Sequence, residues 1–435
     1  MKKINLGLIG LGVVGSGVYS ILKENKKHIL LRRGIELNVK KIAVKDITKK
    51  RSIDVDKSII TSNIDDIIND TEINIVIELV GGIDFSFDLI KKSLEKNKHV
   101  ITANKALLAI KGKELFGLAN KNQLEIGFEA SVGGGIPIIR TIKDALVGDK
   151  IKSIYGIING TSNYILTKMV NENQDFNYAL KRAQELGFAE ADPTLDINGG
   201  DAAHKIAILA SFAFNSIIPY DSIYCEGIDK IELNDIYYAK ELGYTIKLLG
   251  IADEIMENQI CVRVHPTLIP IDSPLANIKN EFNAILIDSH FLGNSMYSGK
   301  GAGMFPTANA VVSDIVEIAE NIAYNIEFNE YKNIHYSKKE LVPLSSKCYQ
   351  YYLRFNTLDK PGILAKIAGI FGDNKISIAR VIQKGKHKDS FVHLILETHD
   401  AYENDVQKAI NIIDKLAIVD PPSTILRIMH PGNSN

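Results

Sequence analysis

The sequence is poor in cysteine, has no long apolar run, and carries no excess of charge of either sign. Three cysteines in 435 residues, Cys225, Cys261 and Cys348, are few, odd in number and far apart. That argues against a disulfide framework and a cysteine-rich metal site, and it points to a reducing, cytoplasmic setting. No apolar run reaches membrane-spanning length, so no membrane association is expected. The N-terminus, MKKINLGLIGLGVVGSG, has the basic start and apolar stretch of a signal peptide. Glycines break that stretch and no A-x-A cleavage site follows, so it reads as the first strand of a folded domain. With 51 basic against 52 acidic residues the formal net charge is -1. There is then no basic surface to attract nucleic acid, and the local Lys/Arg runs read as solvated faces.

What is present is enough apolar chain for more than one core. Two to four domains are expected at this length, and 46% hydrophobic with 24% charged residues is the composition of a soluble globular protein. Strands read near 4–9, 38–45, 73–80 and 98–103, with helices near 13–24 and 85–96. Alternation of this kind predicts a doubly wound parallel sheet of the Rossmann type over residues 1–130. The texture then changes. IKSIYGIING, from 151, is a strand running into a turn. Helices follow near 161–171, 176–187, 201–213 and 235–252, and strands near 259–265 and 284–291. Residues 131–305 therefore read as an α+β domain. Residues 306–325 form one amphipathic helix, opened by Pro306 and expected to return to the first domain. Residues 326–347 read as a linker, and 348–430 as a compact βαββαβ unit.

The sharpest motif is Gly10-Leu-Gly12-Val13-Val14-Gly15, a G-x-G-x-x-G run between an apolar strand and a helix. In that context the first glycine makes a tight turn, the second admits a pyrophosphate, and the third packs helix on strand. A dinucleotide would sit at the helix N-terminus. The end of the second strand should separate NAD from NADP. It reads Val44-Lys45-Asp46, followed by Lys49, Lys50 and Arg51. Both signs are present; Lys45 comes first and the cluster is basic, which leans to NADP.

A second motif, Gly199-Gly200-Asp201-Ala-Ala-His204-Lys205, opens a helix with Asp201 and Lys205 on one face. A surface ion pair is the plain reading of such spacing. The acidic approach, Glu190-Ala-Asp192-Pro-Thr-Leu-Asp196, and the nucleotide loop tilt it towards chemistry. The whole segment GFAEADPTLDINGGDAAHK (187–205) resembles the signature of homoserine dehydrogenases. So do TANKALLA (102–109), GFEASVGGGIPII (127–139) and NGTSNYIL (159–166), in the same order and spacing. The resemblance covers about residues 3–325.

That resemblance implies reversible NAD(P)-dependent interconversion of L-homoserine and L-aspartate 4-semialdehyde, in threonine, methionine and isoleucine biosynthesis. It implies Lys205 as general acid/base, with Asp201 holding substrate or orienting the lysine, and Lys105 at the junction of cofactor and substrate. Glu190, with Asp196 or Asp201, would meet the substrate ammonium; Gly187 and Thr161 would line the same site. Gly187 and Gly301-Ala-Gly303 would border the cofactor. Glu129, with main-chain oxygens of Val132, Gly134 and Ile136, is similar to the family's sodium site; by sequence alone it is a glycine-rich turn. The residue types suit the reaction. The cofactor carries the hydride and the protein supplies orientation and a proton acceptor. A free lysine, with a pKa near ~10.4, is a poor base at neutral pH; burial or a second cation such as Lys105 would lower it.

From 349 the turn LDKPGILAKIAGIF and the βαββαβ order resemble an ACT domain, a small amino-acid-binding module that pairs edge to edge. The implied effector is threonine, and a homodimer or homotetramer is expected; a dimer-forming module without ligand is the alternative. No aspartate kinase segment is present, so a monofunctional form is expected. Rival readings fit less well. Aspartate-semialdehyde dehydrogenase chemistry needs a cysteine nucleophile, and Cys225 and Cys261 lack a nearby base. A malate-type relay would use His204 with Asp201, whose spacing suits helix neighbours. A non-catalytic amino-acid sensor would not need Lys205, Asp201, Glu190 and the glycine loop intact.

Overall fold

The computed structural model describes residues 2–51, 53–326, 338–384 and 391–429. The chain divides into two compact units, each assembled from separate stretches. One holds residues 1–158, 203–223 and 282–339; the other holds 159–202, 224–281 and 340–435.

The first unit is built on strands β1 (Lys2–Ile9), β2 (Ile35–Ala43), β3 (Ile60–Thr61), β4 (Ile75–Glu78), β5 (His99–Thr102) and β6 (Ile126–Gly127), in the order β3-β2-β1-β4-β5-β6. All neighbours are parallel. This is the doubly wound arrangement, with the strand order reversing between β1 and β4, beside the glycine turn. Leu6, Leu8, Ile75, Ile77 and Ile101 are fully buried, as parallel strands covered by helices on both faces must be. The helix Met304–Tyr324 has Pro306 in its first turn, where a missing N–H costs nothing. Its Ala308, Val311, Ile315 and Ala319 share one core with β1, β2 and β4. It crosses the helix Val13–Glu24 so closely that a Cβ on Gly17 would lie 2.8 Å from the Met304 carbonyl oxygen. An antiparallel trio, Ile151–Ile157, Phe282–Ser289 and Gly293–Lys300, completes the unit.

In the second unit, helices Gly160–Glu172 and Phe176–Glu185 begin at side-chain caps from Asn159 and Asp175. Its strands run in the order Tyr244–Met256, Gln259–Pro270, Val419–Ile428, Tyr351–Leu358, Phe391–Thr398 and Ile378–Gln383. With helices Ile363–Asp373 and Glu403–Ile413, the last four strands give the expected βαββαβ order. They close on their own core, including Leu353, Phe355, Phe371, Leu396 and Val406. A buried ion pair joins this module to the rest of the unit. Arg354 donates from Nε to Asp235 Oδ1 (2.7 Å) and from a terminal nitrogen to Oδ2 (3.1 Å), and the Tyr352 hydroxyl also donates to Oδ1 (3.1 Å). Removing one partner of such a pair costs about 3–5 kcal/mol.

The helix expected over 235–252 is a correction. Helix Leu233–Glu241 stops there, Gly243 takes φ +88, and Tyr244–Met256 is a strand buried along most of its length. An unbroken apolar run reads alike as buried helix or doubly buried strand; Gly243 and the β-branched Thr245, Ile246 and Ile251 decide for strand. Of the expected linker, residues 327–337 lie outside the described residues, and Glu340–Leu341 pairs in parallel with Gln259–Ile260. Most of the turn KGKHKD (385–389) and His430 also lie outside them. Among the described residues no helix is long and apolar enough to cross a membrane.

His99, opening β5, accepts the Glu125 backbone N–H at Nδ1 (3.1 Å), and burial pushes its imidazole down from 6.5 to about 4. The unfolded chain therefore takes up this proton near 6.5 and the folded chain only near 4, so the fold loses stability as pH falls through that window. Urea unfolding at several pH values should give a steeper loss for the wild type than for His99→Gln; equal slopes would show that His99 is not the group responsible.

Candidate active site

Of the residues expected at the cofactor, all but Gly187 lie in the first unit. Gly10 takes φ +101, and a Cβ there would lie 2.7 Å from the Leu79 carbonyl oxygen. A Cβ on Gly15 would lie 2.1 Å from the Gly10 carbonyl oxygen. Gly12 is different: nothing lies within 4 Å of its would-be Cβ. The helix it opens runs through Val13 and Val14 with no acidic residue in its first turn. Open backbone at an uncompensated helix N-terminus fits a pyrophosphate. At the end of β2, Asp46 Oδ1 accepts from Thr48 N (2.8 Å), Thr48 Oγ1 (2.6 Å) and Lys49 N (3.2 Å). These bonds hold its carboxyl below the usual range. Arg51 folds back on the same turn, donating to the carbonyls of Asp46 (2.7 Å) and Lys49 (2.9 Å), while Lys45 is exposed.

Lys105 is the first residue of helix Lys105–Lys121, capped by Asn104, whose Oδ1 accepts from Leu107 N (3.2 Å). Behind it lies a residue that sequence reasoning missed. Glu78, 1% exposed at the end of β4, accepts from Val80 N (2.8 Å), Gly81 N (2.9 Å) and Ser86 Oγ (3.0 Å) on one oxygen, and from Thr102 Oγ1 (2.6 Å) on the other. Thr102 in turn accepts from Asn104 N (3.0 Å), and Asn104 Nδ2 donates to Gly82 O (2.6 Å). One carboxylate thus fixes both loops at the C-terminal ends of β4 and β5. The signal in the sequence was an acidic residue closing the apolar strand INIVIE.

Lys205 is buried, and its Nζ donates to the Ile158 carbonyl (2.7 Å). His204 lies on another face of the helix, stacked on Tyr220 at 4.2 Å between ring centres, a packing role. Glu129 is 3% exposed; its oxygens accept from Ile139 N (2.9 Å) and Arg140 N (2.8 Å), and its own N–H donates to Asp314 (2.9 Å). Burial pushes Glu129 above the usual carboxylate range despite Arg140 and Lys143. The following turn carries Val132, Gly134 (φ +55) and Ile136. A Cβ on Gly134 would lie 2.3 Å from the Gly301 carbonyl oxygen, and Gly303 (φ +125) opens the helix Met304–Tyr324. Among the described residues no group of three or more His, Cys, Asp or Glu could hold a metal.

The second unit holds the residues expected at the substrate. Asn159 is the organiser that the sequence did not single out. Its Nδ2 donates to both Asp196 Oδ1 (2.7 Å) and Asp201 Oδ2 (2.8 Å), while its Oδ1 caps Ser162 N (2.7 Å). One amide therefore gathers two expected carboxylates that are five positions apart in sequence. Thr161 Oγ1 donates to the Phe188 carbonyl (2.5 Å), tying down the turn after Gly187, which takes φ +76. Glu190 is exposed, and its carbonyl accepts from Gln184 (3.2 Å). Cys225 is a poor nucleophile, its thiol pushed up to about 11 by burial.

The glycine geometry separates fold from ligand. Gly15→Ala should lower the thermal midpoint by several degrees through its backbone clash. Gly12→Ala should leave the midpoint unchanged and weaken dinucleotide binding about tenfold or more. Thermal melts and nucleotide titration of both variants check this; a destabilised Gly12→Ala with intact binding would reverse the assignment.

Comparison with known proteins identifies the family. Residues 10–129 match the homoserine dehydrogenase NAD-binding domain, 137–316 the homoserine dehydrogenase family, and 351–417 the ACT domain. The homoserine dehydrogenase of Bacillus subtilis is 39% identical over 433 residues, covering 99% of this chain and 100% of the relative. A homoserine dehydrogenase structure from Thiobacillus denitrificans superposes with a TM-score of 0.91 at 39% identity, covering 99% of each chain. A hyperthermophilic archaeal homoserine dehydrogenase in complex with NADPH aligns at a TM-score of 0.62 and 27% identity, over 75% of this chain and 100% of that one. A glycine turn built for a dinucleotide, a paired-carboxylate loop and similarity along the full length converge: the chain belongs to the homoserine dehydrogenase family of NAD(P)-dependent oxidoreductases and carries a C-terminal ACT domain.

Proposed function

We propose that this chain interconverts L-homoserine and L-aspartate 4-semialdehyde with Lys205 as the group that exchanges the alcohol proton. The observation that carries the assignment is a buried lysine, fixed on the Ile158 carbonyl, one turn along its helix from the buried Asp201. In oxidation, Lys205 Nζ accepts the hydroxyl proton as the carbonyl forms; in reduction it returns the proton to the aldehyde oxygen. Nicotinamide, when bound, takes or gives the hydride. Gly10, Gly12, Val13, Val14 and Gly15 would hold its pyrophosphate, with Lys105 and Gly303 as further cofactor contacts. Asp196 and Asp201, paired through Asn159, and Glu190 would meet the substrate ammonium, and Thr161 would keep the turn between Gly187 and Glu190 in place.

NADP is the cofactor this reading favours. Asp46 is engaged within its own turn, which leaves Lys45 and its basic neighbours as the groups to face a 2′-substituent; the archaeal relative with NADPH supports the same choice. Sodium fits the Glu129 turn. A buried carboxylate whose charge is disfavoured, with carbonyls of Val132, Gly134 and Ile136, is a hard oxygen donor set for a cation. Threonine is the effector proposed for the ACT domain. Its end strand Ile378–Gln383, largely exposed, is suited to pairing with a second copy in a homodimer or homotetramer. The three free thiols suit a reducing, cytoplasmic setting.

Homoserine-dependent reduction of NADP and NAD tests the reading. The wild type should turn over with at least one cofactor, and Lys205→Ala should fall about a hundred- to ten-thousandfold. No homoserine-dependent signal from a folded, nucleotide-binding wild type would end it. The NADP/NAD ratio of kcat/KM should exceed one and fall in Lys45→Ala; an unchanged ratio would remove Lys45 from the specificity argument.

A further inference from the structure

The last strand of the ACT domain carries a buried arginine that the proposed reaction does not use. Arg427 is 1% exposed. It donates from Nε (2.9 Å) and one terminal nitrogen (2.6 Å) to the Glu403 carboxylate within its own domain. Its other terminal nitrogen donates to Glu226 Oε2 (2.9 Å), and the first also reaches the Tyr224 hydroxyl (3.3 Å). The Tyr224 ring lies 5.2 Å from the guanidinium carbon, and its hydroxyl donates to Glu226 (3.0 Å). Half of one fork is thus spent outside the ACT domain, on the segment 224–228.

That segment backs the loop joining Asp196 to Asp201. Ile228 N donates to the Ile197 carbonyl (2.8 Å), and Cys225 Sγ donates to the Asn198 carbonyl (3.2 Å). A Cβ on Gly227 would lie 2.2 Å from Ile197 O and 2.6 Å from Asn198 Cα; one on Gly199 would lie 2.9 Å from Cys225 Sγ. Gly227 therefore brings the two backbones together and Gly199 makes room for the Cys225 side chain, so the contact has little slack. The segment is stitched to the strand Gln259–Pro270 by the pairs Tyr224 with Arg263 and Cys225 with Val264, and by Glu226 N on the Val264 carbonyl (2.8 Å).

We propose that Glu226, gripped by Arg427, is a positioning residue: through it the ACT domain fixes where residues 197–199 stand, and hence the spacing of Asp196 and Asp201. This rests on reading those aspartates as groups that meet the substrate ammonium. A packed contact transmits a displacement rather than absorbing it, and coupling carried by such a chain of contacts is spread over contiguous groups.

The test uses the full chain and Glu226, because removing Arg427 would leave Glu403 buried and unpaired. Glu226 is the more exposed partner, with its side chain 30% accessible. In Glu226→Ala the KM for homoserine should rise about 3- to 10-fold, the range of coupling along such networks. The values of kcat and of KM for NADP should stay within about twofold, the pattern of lost substrate positioning alone. Glu226→Gln, which can still accept from Arg427, should recover most of the effect. Tyr224→Phe, a milder cut in the same cluster, should raise the homoserine KM in the same direction and serves if the alanine variant melts early. A folded Glu226→Ala or Tyr224→Phe with wild-type homoserine KM, or with both KM values raised alike, overturns the proposal. A wild type without homoserine turnover would instead remove the functional reading beneath it.

Discussion

One amide holds two carboxylates in place. Asp196 and Asp201 each lie within hydrogen-bond distance of the same Asn159 nitrogen, and two anions so close repel unless something donates to both. An amide nitrogen has two hydrogens to give, and Asn159 gives both. Its remaining oxygen is committed to the cap of helix Gly160–Glu172, so the donor cannot swing away without loosening that helix. The loop between the aspartates is in turn pressed onto residues 224–228 at two glycines.

The first unit solves a different problem by similar means. Its parallel strands end at loops that must stay open to a ligand yet keep their shape. Glu78 supplies shape from below, four donors converging on one carboxylate at the ends of β4 and β5. Close backbone contact supplies it from the side, where Gly15 meets the Gly10 carbonyl and Gly17 meets the helix Met304–Tyr324. A buried carboxylate needs hydrogen-bond donors on both oxygens, and losing one of them is costly. That cost explains why Ser86, Thr102 and two backbone N–H groups are all recruited.

Much of this was legible from the chain. Strand–helix alternation predicted the parallel sheet because short apolar runs recur between longer helical stretches. The glycine run predicted its turn because each glycine answers a local steric demand. The C-terminal βαββαβ order was readable for the same reason. The strand Tyr244–Met256 was not, since a segment buried on both faces loses the alternation that marks a strand. Asn159 and Glu78 were missed because their partners lie up to 42 and 24 residues away. A hydrogen-bonding hub has no periodicity; only the folded chain brings its partners to it. Arg427 was invisible likewise, one cation in a strand whose purpose depends on Glu403 and Glu226.

The glycine at position 12 stands apart from its neighbours in one further respect. Positions 10, 15 and 17 are held by the protein itself, since a methyl group there meets backbone or a packed helix. Position 12 meets nothing. The folded chain alone imposes no cost on a larger residue there, so a lineage that ceased to handle nucleotide could drift at 12 while keeping 10, 15 and 17 intact. Among the three motif glycines, the middle one records use rather than architecture. In a set of divergent copies it is the residue whose loss would first separate a retained scaffold from a working enzyme.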